Sequence, residues 1–119
     1  MTDQDLGRRG EAAAARWYMN QGYTLLDHNY KSRQGELDLI LRKDDLIVIV
    51  EVKSRSGAMW YRPMEAVNWP KQKRIILAAQ RYLQVNRLQD AVIRFDVAEV
   101  IHRPEGGFLV RAIQNAFQT

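Results

Sequence analysis

The sequence predicts one mixed α/β domain, with helices packed on a single central β-sheet. Helical and strand-like segments follow in the order α, three strands, α, two strands. No repeat, low-complexity tract or Pro/Gly/Ser linker divides residues 1–119, so one domain is expected, long enough to bury one core. Leu46 to Lys53 is β-branched almost throughout, as in a central strand covered on both faces.

The first helix is expected from about Asp5 to Asn20, with Gly22 just beyond its end. Leu6, Gly10, Ala13, Ala14 and Trp17 recur at helical spacing. Gly7, Gly10 and Ala14 are small enough to let that helix lie close on a sheet. Tyr23 to Tyr30 reads as a strand, and Lys31-Ser32-Arg33-Gln34-Gly35 as a turn. Two strong strands follow, Glu36–Arg42 and Leu46–Lys53, joined across Lys43-Asp44-Asp45. Ser54 to Tyr61 is read as a loop and Pro63 to Val67 as a helical turn. Asn68 is the expected N-cap of a second helix with Pro70 in its first turn, running to about Asn86. Its apolar face is Ile75, Ile76, Ala79, Tyr82 and Leu83. Ala91–Ile101 and Gly107–Ile113 complete the sheet, turning at Arg103-Pro104-Glu105-Gly106-Gly107.

Composition narrows the function classes. There is no cysteine, which rules out disulfides and thiolate metal sites and fits a reducing, cytoplasmic setting. The stretch Met1 to Gly10 lacks the apolar core of a signal peptide, and the longest apolar run, Leu46 to Val50, is too short for a bilayer. No membrane partner is therefore expected. The net charge of +4 is unevenly placed. Residues 1–60 balance nine Lys/Arg against nine Asp/Glu, whereas residues 61–119 carry nine against five. A local basic excess suggests a polyanionic partner.

The chemistry concentrates in the hairpin. With its centre between Asp44 and Asp45, Asp38 falls directly opposite Glu51, and opposed side chains share a face. Lys53, two residues beyond Glu51, joins them on that face. A slip of one residue would scatter the cluster. Two carboxylates in the most apolar part of a domain are costly unless paired or bound to a metal. A hard divalent cation relieves their repulsion, and Mg²⁺ prefers one or two carboxylates while keeping several waters. Such an ion acidifies a bound water and stabilises charge on a phosphoryl oxygen, with Lys53 placed to orient or deprotonate the water. The plainer alternative is a buried Asp–Lys–Glu ion network that fixes register.

Gly35-Glu36-Leu37-Asp38-Leu39-Ile40 and Val50-Glu51-Val52-Lys53-Ser54-Arg55 together resemble the PD-(D/E)xK nuclease signature, with Leu37 in place of the motif's proline. The closest likeness is to the YraN-like family of predicted endonucleases, related in fold to archaeal Holliday-junction resolvases. It extends over nearly the whole chain, through Gly7-Arg8-Arg9-Gly10-Glu11, Pro63-Met64-Glu65-Ala66-Val67, the Lys71/Lys73 region, Ala78-Ala79, Tyr82-Leu83 and Arg94-Phe95-Asp96-Val97. The resemblance implies a restriction-endonuclease-like mixed central sheet flanked by helices. It implies that Asp38, Glu51 and the Val52 carbonyl hold Mg²⁺ or Mn²⁺, that Lys53 is the catalytic lysine, and that Glu11 is an extra helix-borne acid at the metal. It further implies DNA as substrate, branched or structured rather than sequence-specific. A homodimer is a candidate assembly, because junction resolvases make two cuts with two sites, and Met59, Trp60 and Tyr61 are candidates for its surface.

Other residues carry a second reading beside the functional one. Without the resemblance, Glu11 is equally a solvated acid. Glu36, opposite Lys53, is read as a partner that holds the lysine. Lys71, Arg74 and Arg81 form a stripe opposite the apolar face of the second helix, and such a stripe contacts phosphates or is merely solvated. Lys73, Arg8, Arg9 and Arg55 are further candidates of the same kind. Trp60 and Tyr61 suit base stacking, but more often such residues plug a core or an interface. A non-catalytic nucleic-acid-binding module that keeps the nuclease fold is the main rival, and an interaction protein with a structural acidic cluster the weaker one.

Overall fold

The computed structural model describes residues 2–56 and 67–119. The elements are α1 (Asp3–Met19), β1 (Thr24–Lys31), β2 (Glu36–Lys43), β3 (Leu46–Ser56), α2 (Trp69–Val85), β4 (Val92–His102) and β5 (Phe108–Phe117). The strands form one mixed sheet in the order β1-β2-β3-β4-β5. Only β3 and β4 run parallel, and α2 lies in the crossover between them, as a parallel connection requires. The result is the α/β fold expected, with a restriction-endonuclease-like arrangement of sheet and helices. No helix is long and apolar enough to cross a membrane among the described residues.

β3 is fully buried from Ile47 to Glu51 because both of its faces are covered. Ile47 and Ile49 join Ile75, Ala78, Ala79, Tyr82 and Leu83 of α2 in one core. Val48 and Val50 join Ala14, Ala15 and Tyr18 of α1 in the other. Gly10 lets α1 settle on the sheet, since a Cβ there would come 2.9 Å from Ser54 Cβ and nearer still to its hydroxyl oxygen. A Cβ on Gly7 would meet nothing within 4 Å, so that glycine has no part in the close approach.

Several boundaries differ from expectation. α1 begins earlier, because Thr2 caps it and forms a reciprocal capping pair with Asp5. The β2–β3 turn has two residues, Asp44 and Asp45, with Lys43 and Leu46 the last pair and Asp44 at φ 54°. β3 continues past Lys53 to Ser56, since its parallel ladder with β4 extends to the pair Ser56–His102. Ser54, Arg55 and Ser56 are therefore strand rather than loop. β5 extends to Phe117 across an irregularity opposite Asp96, with Asn115 at φ 54°. The expected helical turn at Pro63 to Val67, apart from Val67 itself, and the residues Met59, Trp60 and Tyr61 lie outside the described residues.

Candidate functional site

The hairpin has the expected register: Leu39 pairs with Val50, Ile40 with Ile49 and Leu41 with Val48. The ladder ends there, one step before Asp38 and Glu51. Asp38 Oδ2 accepts instead from the Val52 backbone N–H at 2.8 Å. The carboxylate thus satisfies a main-chain donor where the strands part. Asp38 and Glu51 then line one cavity of about 270 Å³ with Gly35, Glu36, Lys71, Arg74 and Ile75. A larger cleft of about 750 Å³ between α1 and β5 contains no carboxylate, so the acid pair does not lie in the larger space. Gly35 lets the rim approach α2 closely, since a Cβ there would stand 3.2 Å from the Arg74 carbonyl oxygen.

The electrostatics are those of crowded charge. The Glu51 side chain is 7% exposed and takes two ammonium groups: Lys71 Nζ at 2.8 Å and Lys53 Nζ at 3.7 Å from Oε1. Burial, and then the Glu51 charge, push the Asp38 carboxyl up to about 7, against the opposing pull of the Val52 N–H and Lys71. The Lys53 ammonium is held below its ordinary value by burial and by the neighbouring Lys71. Lys71 goes the other way: burial opposes its charge, but the Glu51 carboxylate overcomes this and raises its pKa. Glu11 is half-buried and raised by burial, with the Glu51 and Glu36 charges adding to the effect. It stands within electrostatic reach of the acid pair but lines a neighbouring cavity with Arg8, His28 and Asn29. Among the described residues no three acids or histidines converge closely enough to hold an ion together.

The profile of the uncharacterised protein family UPF0102 matches residues 10–100, a span that contains every residue of this cavity. The chain belongs to this family. A UPF0102 protein of Desulforapulum autotrophicum is 40% identical over 98% of this chain and 95% of its own. One from Alkaliphilus oremlandii is 42% identical over 97% and 99%, and one from Myxococcus xanthus 42% identical over 86% and 81%. UPF0102 is the YraN-like family that the sequence motifs resemble.

Not every candidate in this UPF0102 member reaches the cavity. Lys53 is held by Glu51 and not by Glu36, which correspondingly loses its expected role. Lys71 belongs to the carboxylate cluster rather than to a solvent-facing stripe, whereas Arg74 is exposed at the cavity rim. Arg81 is exposed seven residues beyond Arg74 along α2, and the Lys73 ammonium lies 5.5 Å from the Trp69 ring centre. Arg8 is bound to Asp5 at 2.7 Å, and Arg9 lines the cleft between α1 and β5. Arg55 is half-buried in β3.

A second buried cluster, centred on Asp96, lies outside the expected site. Buried Asp96 accepts from the Tyr18 hydroxyl at 2.6 Å, from Arg94 Nε and a terminal Arg94 nitrogen at 2.9 Å each, and from the Asn115 N–H at 2.9 Å. Arg94-Phe95-Asp96-Val97 was visible as a motif, but its partners are distant in sequence.

Proposed function

We propose that this protein is a metal-dependent endonuclease that hydrolyses phosphodiester bonds in DNA, with branched or structured DNA as its preferred substrate. The observation that carries the reading is the pairing of Asp38 with Glu51 in one small cavity, where burial and mutual repulsion push the Asp38 carboxyl up to about 7. The raised Asp38 carboxyl marks a place where positive charge is short even with Lys71 nearby, and two carboxylates with room for water suit Mg²⁺ or Mn²⁺. Asp38 and Glu51 would hold the ion, and the family resemblance adds the Val52 carbonyl and Glu11 as further candidate ligands. Bound there, the metal supplies charge at the phosphoryl oxygen and a more acidic water.

The chain's own residues do the rest. Lys53, with its proton held more loosely than in a free lysine, gives that proton up to solvent and, as the neutral amine, orients the attacking water and accepts its proton. Arg74 at the rim takes a phosphate oxygen and positions the backbone. The preference for branched DNA rests on the likeness to junction resolvases. It is checked by comparing cleavage of junctions and linear duplex across a salt titration, where equal rates sink it.

The deciding experiment is Mn²⁺ binding by calorimetry to wild type and Asp38→Asn, with branched-DNA cleavage assayed alongside. Metal binding lost in the variant, and cleavage seen only in wild type with metal, is the expected result. One observation favours the rival, a non-catalytic nucleic-acid-binding module: Glu51 already has a cation in Lys71. DNA binding with no metal uptake by wild type, even with DNA present, would establish that rival.

A further inference from the structure

Lys71 occupies a position that helix electrostatics disfavours. Asn68 caps α2, and its side-chain oxygen accepts from the Lys71 N–H at 3.0 Å, which sets Lys71 in the first turn. The positive end of the helix dipole repels a cation there, and an acid is the residue that suits the position. No acid is present in that turn. What holds the ammonium is Glu51 across the cavity at 2.8 Å, nearly one ångström closer than Lys53. The same cavity is bounded by Asp38 and opens beside Arg74. A side chain of four carbons allows the ammonium to leave Glu51 without moving the helix.

We propose that Lys71 is a built-in counter-cation of the Asp38–Glu51 pair, bound to Glu51 until a divalent ion displaces it and turns it toward the DNA phosphate. This rests on the metal-dependent reading above. Metal and ammonium compete for one carboxylate, so metal binds against the cost of breaking the ion pair. A phosphate in the cavity gives the freed ammonium a second partner and lowers that cost. Metal and DNA therefore bind cooperatively, and by linkage each tightens the other to the same degree. Lys71 is then a positioning residue that ties metal uptake to the presence of substrate.

The test is Mn²⁺ affinity by calorimetry, without DNA, for wild type, Lys71→Gln and Lys71→Arg. Removing the competitor in Lys71→Gln is expected to tighten binding on the order of tenfold, the size of effect that a modest ion pair yields. Lys71→Arg, which keeps the charge, is expected to stay near wild type. A merely structural lysine predicts weaker or unchanged binding in Lys71→Gln, and either result overturns the proposal. If wild type and both variants take up no metal, even when DNA is added, the metal-dependent reading falls and this proposal with it. If wild type binds and Lys71→Gln binds equally, only this proposal falls. A second measurement needs no folded variant: the Lys71 ε-carbon NMR resonance of wild type should shift as Mg²⁺ saturates, and a fixed resonance under saturation overturns the displacement.

Discussion

Asp38 stands where the β2–β3 ladder stops, with one carboxylate oxygen bound to the Val52 N–H and the side chain facing Glu51 across the cavity. Burial, and then the Glu51 charge, push its carboxyl up to about 7 from an ordinary value of 3.8. Between those values the folded state keeps a proton that the unfolded state has released, so stability falls as pH rises through this window. Asp38→Asn removes that loss. In urea unfolding with a chelator, the variant should gain roughly 1–3 kcal/mol on wild type between pH 4 and pH 8, discounted for the coupling to Glu51 and Lys71. Parallel stability curves for the two proteins would show that the carboxyl is not raised. The identity of this residue was legible in the sequence because the short turn and the alternating strands fix the register. Its bond to Val52 was not, since a break in a ladder leaves no local pattern. Lys71 was legible only as a charge, because its partner lies on a strand twenty residues away.

At the scale of elements, α1 and the end of the sheet are joined by a polar anchor inside an apolar layer. Tyr18 of α1, Arg94 and Asp96 of β4, and the Asn115 amide of β5 meet at one carboxylate that is 1% exposed. The Tyr23 hydroxyl accepts from Arg94 at 3.2 Å and extends the set. With its hydrogen bonds satisfied, the cluster fixes where α1 crosses the sheet and where β5 departs from regular pairing. Asp96→Ala strands the Arg94 charge and the Tyr18 and Asn115 donors, and is expected to cost about 3–5 kcal/mol in chemical denaturation. A loss below about 1 kcal/mol would mean that water replaces the carboxylate. The periodicity of each helix and the β-branched run of β3 were enough to predict the elements themselves. Their ends were less visible: the extra residues of β3 and β5 are held by cross-strand partners, which local sequence does not reveal.

Across the whole molecule the two helices divide the surface between them. The face under α2 carries the cavity, with Arg74 at its rim and Arg81 further along, while Arg9 points to the cleft between α1 and β5. Of the basic residues in 61–119, Lys71 and Arg74 line the cavity, whereas Arg94 is bound to Asp96. If DNA approaches along α2, each arginine that touches a phosphate releases about one counterion, and the affinity falls with salt accordingly. Arg74→Ala should weaken binding to duplex and junction DNA alike and flatten the log-affinity against log-salt slope by about 1. Arg9→Ala should leave both unchanged. Fluorescence anisotropy with labelled DNA at several salt concentrations separates the two cases. An unchanged slope for Arg74→Ala beside a reduced slope for Arg9→Ala would place the DNA on the α1 face, away from Asp38 and Glu51. DNA bound there could not present its phosphate to the acid pair, so the same measurement bears on the nuclease reading through geometry alone.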